Sequence, residues 1–277
     1  MQRNDTAETF DWTKLSPDPT CPEVREALLT ELRHIRRPAA TDDKRQVIRE
    51  FVEGQRVLDL GVVGHVFDAR HESGWLHGQI RGWAKEVLGV DILEKEVSQL
   101  RTRGYDIVCA DATSDIDLGR RFDRIVMGDL IEHVSNQVNL LRFAARHLEP
   151  GGRILATTPN PFYYAWIYES VRLGTCIANA EHVTWAGPTM MLELARRAGV
   201  RLVEYKLLRV KAKRPTWRTR LLDLISERYF REQEIFAQSY VYVFAGPGPA
   251  TSSGFAHQPG ESAGLPSPFR LHAAPAP

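Results

Sequence analysis

The strongest constraint on this chain is a repeated alternation between short apolar runs and stretches whose apolar residues recur at helical spacing. The apolar runs are residues 56–60 (RVLDL), 86–92 (EVLGVDI), 105–110 (YDIVCA), 122–127 (FDRIVM) and 153–158 (RILATT). Between them, Trp75, Leu76, Ile80, Trp83 and Ala84 form one helical stripe. Leu93, Val97 and Leu100 form a second, before Gly104, and Val138, Leu141, Ala145 and Leu148 a third, stopped by Pro150-Gly151-Gly152. Strands that are apolar along their length, each followed by a helix, imply a parallel sheet covered on both faces. A helix opened by Pro188 and closed by Gly199, a strand over 200–208 and a last strand over 240–245 (YVYVFA) complete the pattern. The expected fold is α/β: a doubly wound, mostly parallel seven-stranded sheet with helices on both faces.

The flanks read differently. Residues 1–54 are expected to form an N-terminal helical leader, with one helix over 23–36. A second helix is capped by Thr41, has Asp42 and Asp43 in its first turn, and runs to Glu53 before Gly54. The main domain is expected over 55–245, interrupted at about 211–238 by a basic, then amphipathic insertion. Residues 246–277 are rich in Gly, Pro, Ala and Ser and have too little apolar surface to offset the entropy of ordering. With 43% apolar and 26% charged residues the chain can bury a core, and a net charge of +1 gives no global field to attract nucleic acid or a membrane. Cys21, Cys109 and Cys176 are scattered and odd in number, which suits a reducing compartment. The opening MQRNDTAETFDW lacks the apolar centre of a signal peptide, and no run reaches the roughly 20 apolar residues of a membrane span. A cytoplasmic protein is expected.

In a parallel α/β sheet, ligands bind beyond the carboxyl ends of the strands. Asp59, Gly61 and Gly64 follow the first strand, and Asp91 and Ile92 close the second. Asp111 and Ala112 follow the third strand and Asp129 the fourth. Any one of these carboxylates alone is a solvated loop residue. Together they line one edge of one sheet, and that points to a ligand.

The segments VLDLGVVGH, GVDI, CADAT, FDRIVMGDLIEH and LEPGGRILATTPN resemble, in order and spacing, the successive motifs of class I S-adenosylmethionine-dependent methyltransferases. The resemblance covers roughly residues 55–208. It implies a Rossmann-like fold, S-adenosylmethionine as cofactor and a small-molecule acceptor, and the near-neutral net charge of +1 argues against a nucleic-acid substrate. It also implies that the loop from Gly61 to Gly64 approaches the methionine end of the cofactor, its backbone N–H groups meeting the carboxylate. Asp91 would take the ribose diol, with Ile92 beside it. Asp111 and Ala112 would meet the adenine, Asp129 would line the site, and Asp59 would brace the loop. The usual D-x-G-x-G-x-G is altered, because Val63 and His65 replace two glycines. A β-branched residue does not take positive φ cheaply, so a turn of different shape is expected. A nicotinamide dehydrogenase would need G-x-G-x-x-G after the first strand, which is absent. A non-catalytic scaffold on the same fold is the alternative that the altered loop raises.

Past the fourth strand, His133 is the candidate base for a hydroxyl acceptor, with a packed, loop-bracing histidine as the other role. Glu132, His133 and His182, with Asp129, also resemble the metal-binding pattern of small-RNA 2′-O-methyltransferases. That resemblance makes a divalent metal ion a second candidate cofactor. Asn160-Pro161-Phe162 resembles the N-P-P-Y signature of DNA amino-group methylation but follows the fifth strand, not the fourth. The basic run over 209–220 reads as the solvated face of the insertion. Phe162, Tyr163, Tyr164, Trp166 and Tyr168 form either a buried helix face or a lid over the acceptor.

Overall fold

The computed structural model describes residues 9–35, 37–64, 74–209, 230 and 232–247; most of the expected insertion and nearly all of the tail lie outside them. Seven strands are present: β1 (Arg56–Leu60), β2 (Glu86–Asp91), β3 (Ile107–Cys109), β4 (Phe122–Gly128), β5 (Leu148–Pro159), β6 (Arg201–Leu208) and β7 (Ser239–Ala245). They form one sheet in the order β3-β2-β1-β4-β5-β7-β6. β7 runs antiparallel to both its neighbours, and the pairings among β1 to β5 are parallel. The mostly parallel, doubly wound sheet read from the alternation is the observed one.

Successive residues of the central strands point to opposite faces, and each face has its own helices. Leu58, Ile125 and Ile154 pack with Leu140, Leu141, Phe143 and Ala144 of α5 (Gln137–Arg146) and Met191 and Leu192 of α7 (Pro188–Ala198). Their neighbours Val57, Val126 and Leu155 face the other way. They meet Ile48 and Val52 of α2 (Lys44–Val52) and Ile80 of α3 (Leu76–Trp83). The remaining helices are α1 (Pro22–His34), α4 (Glu94–Thr102) and α6 (Tyr164–Leu173). No helix among the described residues is long and apolar enough to cross a membrane.

Local boundaries depart from expectation where tertiary contacts intervene. Asp43, not Thr41, caps α2, its Oδ1 accepting from Gln46 N at 2.8 Å. Thr41 instead bridges to β6: its N–H donates to Leu207 O and its carbonyl accepts from Arg209 N. Leu148, expected on a helical stripe, begins β5 opposite Phe122, because α5 already ends at Arg146. The third strand is shorter than read, since Tyr105 leaves the ladder to pack edge-on against Trp75 at 5.0 Å.

His147, at the end of α5, is fully buried. Its Nε2 accepts from Leu118 N at 2.9 Å, so Nδ1 carries the proton and donates to Phe143 O at 2.8 Å. Burial holds its pKa below the ordinary histidine value. A histidine depressed in the folded state contributes stability that is complete above about pH 6.5 and is lost as pH falls through the folded value. Denaturant melts of the parent and of His147→Gln, which keeps an acceptor for Leu118 but cannot titrate, are expected to diverge by this loss as pH falls from about 7.5 to about 5.

Candidate functional site

The chain runs outward from β1 through β2 to β3, then returns to place β4 on the other side of β1. The crevice for a ligand lies beyond the carboxyl ends of β1 and β4, where strand order reverses. Gly61 leaves β1 at φ 75°, and a Cβ there would sit 2.8 Å from Leu130 Cδ1. Both the backbone and the close approach of Leu130 require glycine. Among the described residues Asp129 alone has positive φ without being glycine, so Val63 sits in ordinary backbone and the turn bends at Gly61. The loop is held from two directions: Val63 N–H donates to Asp91 Oδ2 at 2.8 Å, and Trp75 Nε1–H donates to Val62 O at 2.6 Å. Gly64 is exposed with open space around it, and His65 lies outside the described residues.

Asp91 is 8% exposed at the tip of β2, and its other oxygen accepts from Leu93 N at 3.1 Å. Ile92 is exposed beside it. Asp111 is exposed beyond the end of β3, with Ala112 half-buried behind it. One Asp111 oxygen already accepts from Thr113 N and Oγ1, both at 2.7 Å. Asp59 differs from these. It is buried, its Oδ2 lies 2.9 Å from Nδ1 of buried His77, and it faces protein. Burial raises its pKa, the His77 hydrogen bond opposes the rise, and the Asp91 charge adds to it.

Asp129, at φ 52°, is fixed by its neighbours. Its N–H donates to Thr157 O at 3.1 Å, the Thr157 hydroxyl donates to its Oδ1 at 2.8 Å, and Lys44 from α2 pairs with its Oδ2. Three residues on, Glu132 is 1% exposed, and both of its carboxyl oxygens are buried without a hydrogen-bond partner. Burial pushes its pKa up to about 7; its own backbone N–H opposes the rise and the Asp129 charge adds to it. The Glu132 carbonyl accepts from Val183 and Thr184 N–H groups, which brings His182 against His133 with ring centroids 4.7 Å apart. Glu181 Oε2 lies 3.8 Å from His133 Nδ1.

Residues 32–205 match the methyltransferase domain family. The chain belongs to that family. Similar curated proteins include ubiquinone biosynthesis O-methyltransferases. That of Coxiella burnetii is 24% identical over 164 residues, 55% of this chain and 66% of the relative. That of Sinorhizobium medicae is 28% identical over 120 residues, 40% of this chain and 44% of the relative. The chain therefore spans just under two thirds of the first relative's length and less than half of the second's. Solved structures with a similar course include a SAM-dependent methyltransferase from Archaeoglobus fulgidus, at 17% identity and TM-score 0.45, covering 73% of this chain and 94% of that one. Another, from Mesorhizobium loti, has 19% identity and TM-score 0.46, covering 72% and 94%. S-adenosylmethionine is the methyl donor that goes with this methyltransferase family.

The donor set for a metal can be tested on the geometry. Glu132, His133 and His182 offer ligand atoms within 4.8 Å of one another. Two donors about 2.1 Å from one ion lie at most ~4.2 Å apart, so the set must contract slightly to close on an ion. Glu132 is suited to the role, since its oxygens have no other partner. His182 is less so: Nδ1 accepts from Trp185 Nε1 at 3.2 Å, which leaves the proton of the neutral ring on Nε2. Asp129 is committed to Thr157 and Lys44 and lies outside the trio.

Several residues around the candidate site carry no signal in the sequence: Lys44, Trp75, His77 and Trp185 each reach it through a tertiary contact. Asn160, by contrast, is structural. Its buried carboxamide donates to Glu234 O and Ala237 O and accepts from Phe162 N, leaving no N–H donor for a substrate. The aromatic stretch is no buried helix face either: α6 has no buried residue, and Trp166 lies 6.2 Å from Trp185. A cavity of about 470 Å³ is bounded by Ser135 and Gln137 after His133, Trp185 and Ala186 after His182, and Met190 and Leu194 of α7.

Proposed function

We propose that this chain transfers the methyl group of S-adenosylmethionine to an oxygen of a small-molecule acceptor such as a sugar, quinone or secondary metabolite. One observation carries the proposal: Asp91 and the turn at Gly61 are hydrogen-bonded to each other at the edge of the β1/β4 crevice. Asp91 has lone pairs left for the ribose diol. Asp111 and Ala112 take the adenine, and N–H groups of the turn meet the carboxylate. His133 accepts the acceptor's proton, and the exposed aromatic residues Phe162 and Tyr168 cover an apolar acceptor. The names of the curated relatives support an oxygen acceptor. Calorimetry should show S-adenosylmethionine binding to the intact protein, and incubation with labelled cofactor and a panel of phenols and sugars should label one class. No cofactor binding at all would remove the proposal.

The convergence of Glu132, His133 and His182 favours a second reading, in which a divalent ion helps. When bound, such an ion would polarise the acceptor hydroxyl. Methyl transfer that survives exhaustive chelation would exclude it.

A further inference from the structure

We infer that Trp75 and His77 are positioning residues for the cofactor turn, doing from beneath what the glycines absent at Val63 and His65 would otherwise do by backbone freedom. The inference rests on the cofactor assignment above and adds two residues to it. Trp75 holds the turn by its carbonyl, at Val62. His77 holds the strand that feeds the turn, through buried Asp59 on β1. Both belong to one wedge: the Trp75 ring lies 5.1 Å from that of His77 and 5.0 Å from that of Tyr105, and the buried Val62 side chain joins them.

A glycine on β2 makes room for the wedge. A Cβ on Gly89 would sit 2.9 Å from His77 Cε1 and 3.1 Å from Val62 Cγ1. A side chain on the middle of β2 would therefore drive His77 and Val62 apart. Gly89, His77, Trp75 and Val62 thus form one packed unit whose upper surface is the turn from Gly61 to Val63. His77 Nε2 is buried without a partner, an expense that a purely space-filling aromatic residue would avoid. What His77 supplies in exchange is a donor to Asp59, whose buried carboxylate left unpaired would be costlier still.

The turn is assigned to the methionine end of the cofactor, and Asp91 to the ribose. Damage to the wedge should therefore be felt by one part of the ligand only. The test compares S-adenosylhomocysteine with methylthioadenosine, which lacks the amino-acid group, by calorimetry and competition on the full chain. Trp75→Phe keeps the ring but removes the donor, and is expected to weaken S-adenosylhomocysteine about tenfold with little change for methylthioadenosine. His77→Ala should give the same selective loss, and His77→Asn, which can still donate to Asp59, should recover most of it. Equal losses for both ligands would mean general damage to the scaffold, and unchanged affinity in Trp75→Phe and His77→Ala would mean no positioning role; either overturns the inference. If the unaltered protein binds neither ligand, the cofactor assignment itself has failed, a separable outcome.

Discussion

Asp91→Ala is expected to weaken S-adenosylhomocysteine binding by about a hundredfold or more, the largest single effect on ligand affinity in this site. Two losses combine. In the proposed complex the ribose hydroxyls lose a carboxylate acceptor, and hydrogen bonds to a charged group contribute about 1.5–3 kcal/mol each. The turn after β1 also loses its tether, because Val63 N–H donates to this same carboxylate at 2.8 Å. Asp91→Asn should be little better: an amide can satisfy either the Val63 or the Leu93 N–H with its oxygen, but presents an NH₂ group to the other. Calorimetry with S-adenosylhomocysteine measures the effect, and far-ultraviolet dichroism confirms that each variant is folded. An Asp91→Ala protein that binds within a factor of three of the parent would show that the ribose is held elsewhere.

The second large effect is on stability, at Glu132. Its pKa stands at about 7 in the fold, against the ordinary 4.5. The fold thus favours the protonated form. The contribution is complete below about pH 4.5 and is lost as pH climbs through about 7, to the extent of about 3 kcal/mol by pH 8. Glu132→Gln, neutral at every pH, should flatten the fall. Urea melts at pH 5 and pH 8 on both proteins isolate this group from the opposite slope of His147. The same measurement reports on a metal: an ion held by Glu132 would keep it ionised, so saturating Mn²⁺ or Zn²⁺ should suppress the pH dependence in the parent and leave the variant unmoved. Equal slopes in parent and variant would mean that Glu132 titrates normally.

The strands and the rim were legible for a local reason. A strand buried on both faces is written as an unbroken apolar run, and the residues at its carboxyl end lie at the sheet edge where folds of this kind bind ligands. Asp91 and Asp111 could therefore be placed by counting. The roles of the neighbours could not. Asp59 lies inside such a run, one residue before its end, and its carboxylate is spent on His77, a residue whose pairing no periodicity reports. Asp129 is engaged by Lys44, 85 residues earlier, which reads in sequence as a solvated lysine at a helix start. In Ile131-Glu132-His133 the sequence points to the histidine as the candidate base, and it gives no sign that the glutamate beside it is buried and its pKa raised. Burial is decided by what packs on top, here the 183–184 backbone, and local pattern carries no record of that.

The position of β7 has a consequence for how the protein is made. The last strand inserts between β5 and β6, with its partners on both sides synthesised earlier. A nascent chain that has emerged only to residue 208 has two strands waiting with open hydrogen-bonding flanks and nothing yet to fill the slot. Such flanks are templates for self-association until they are closed. β6 therefore cannot join the sheet until Ser239–Ala245 leaves the ribosome, and shortening the chain ahead of that segment would expose both flanks at once instead of trimming an end.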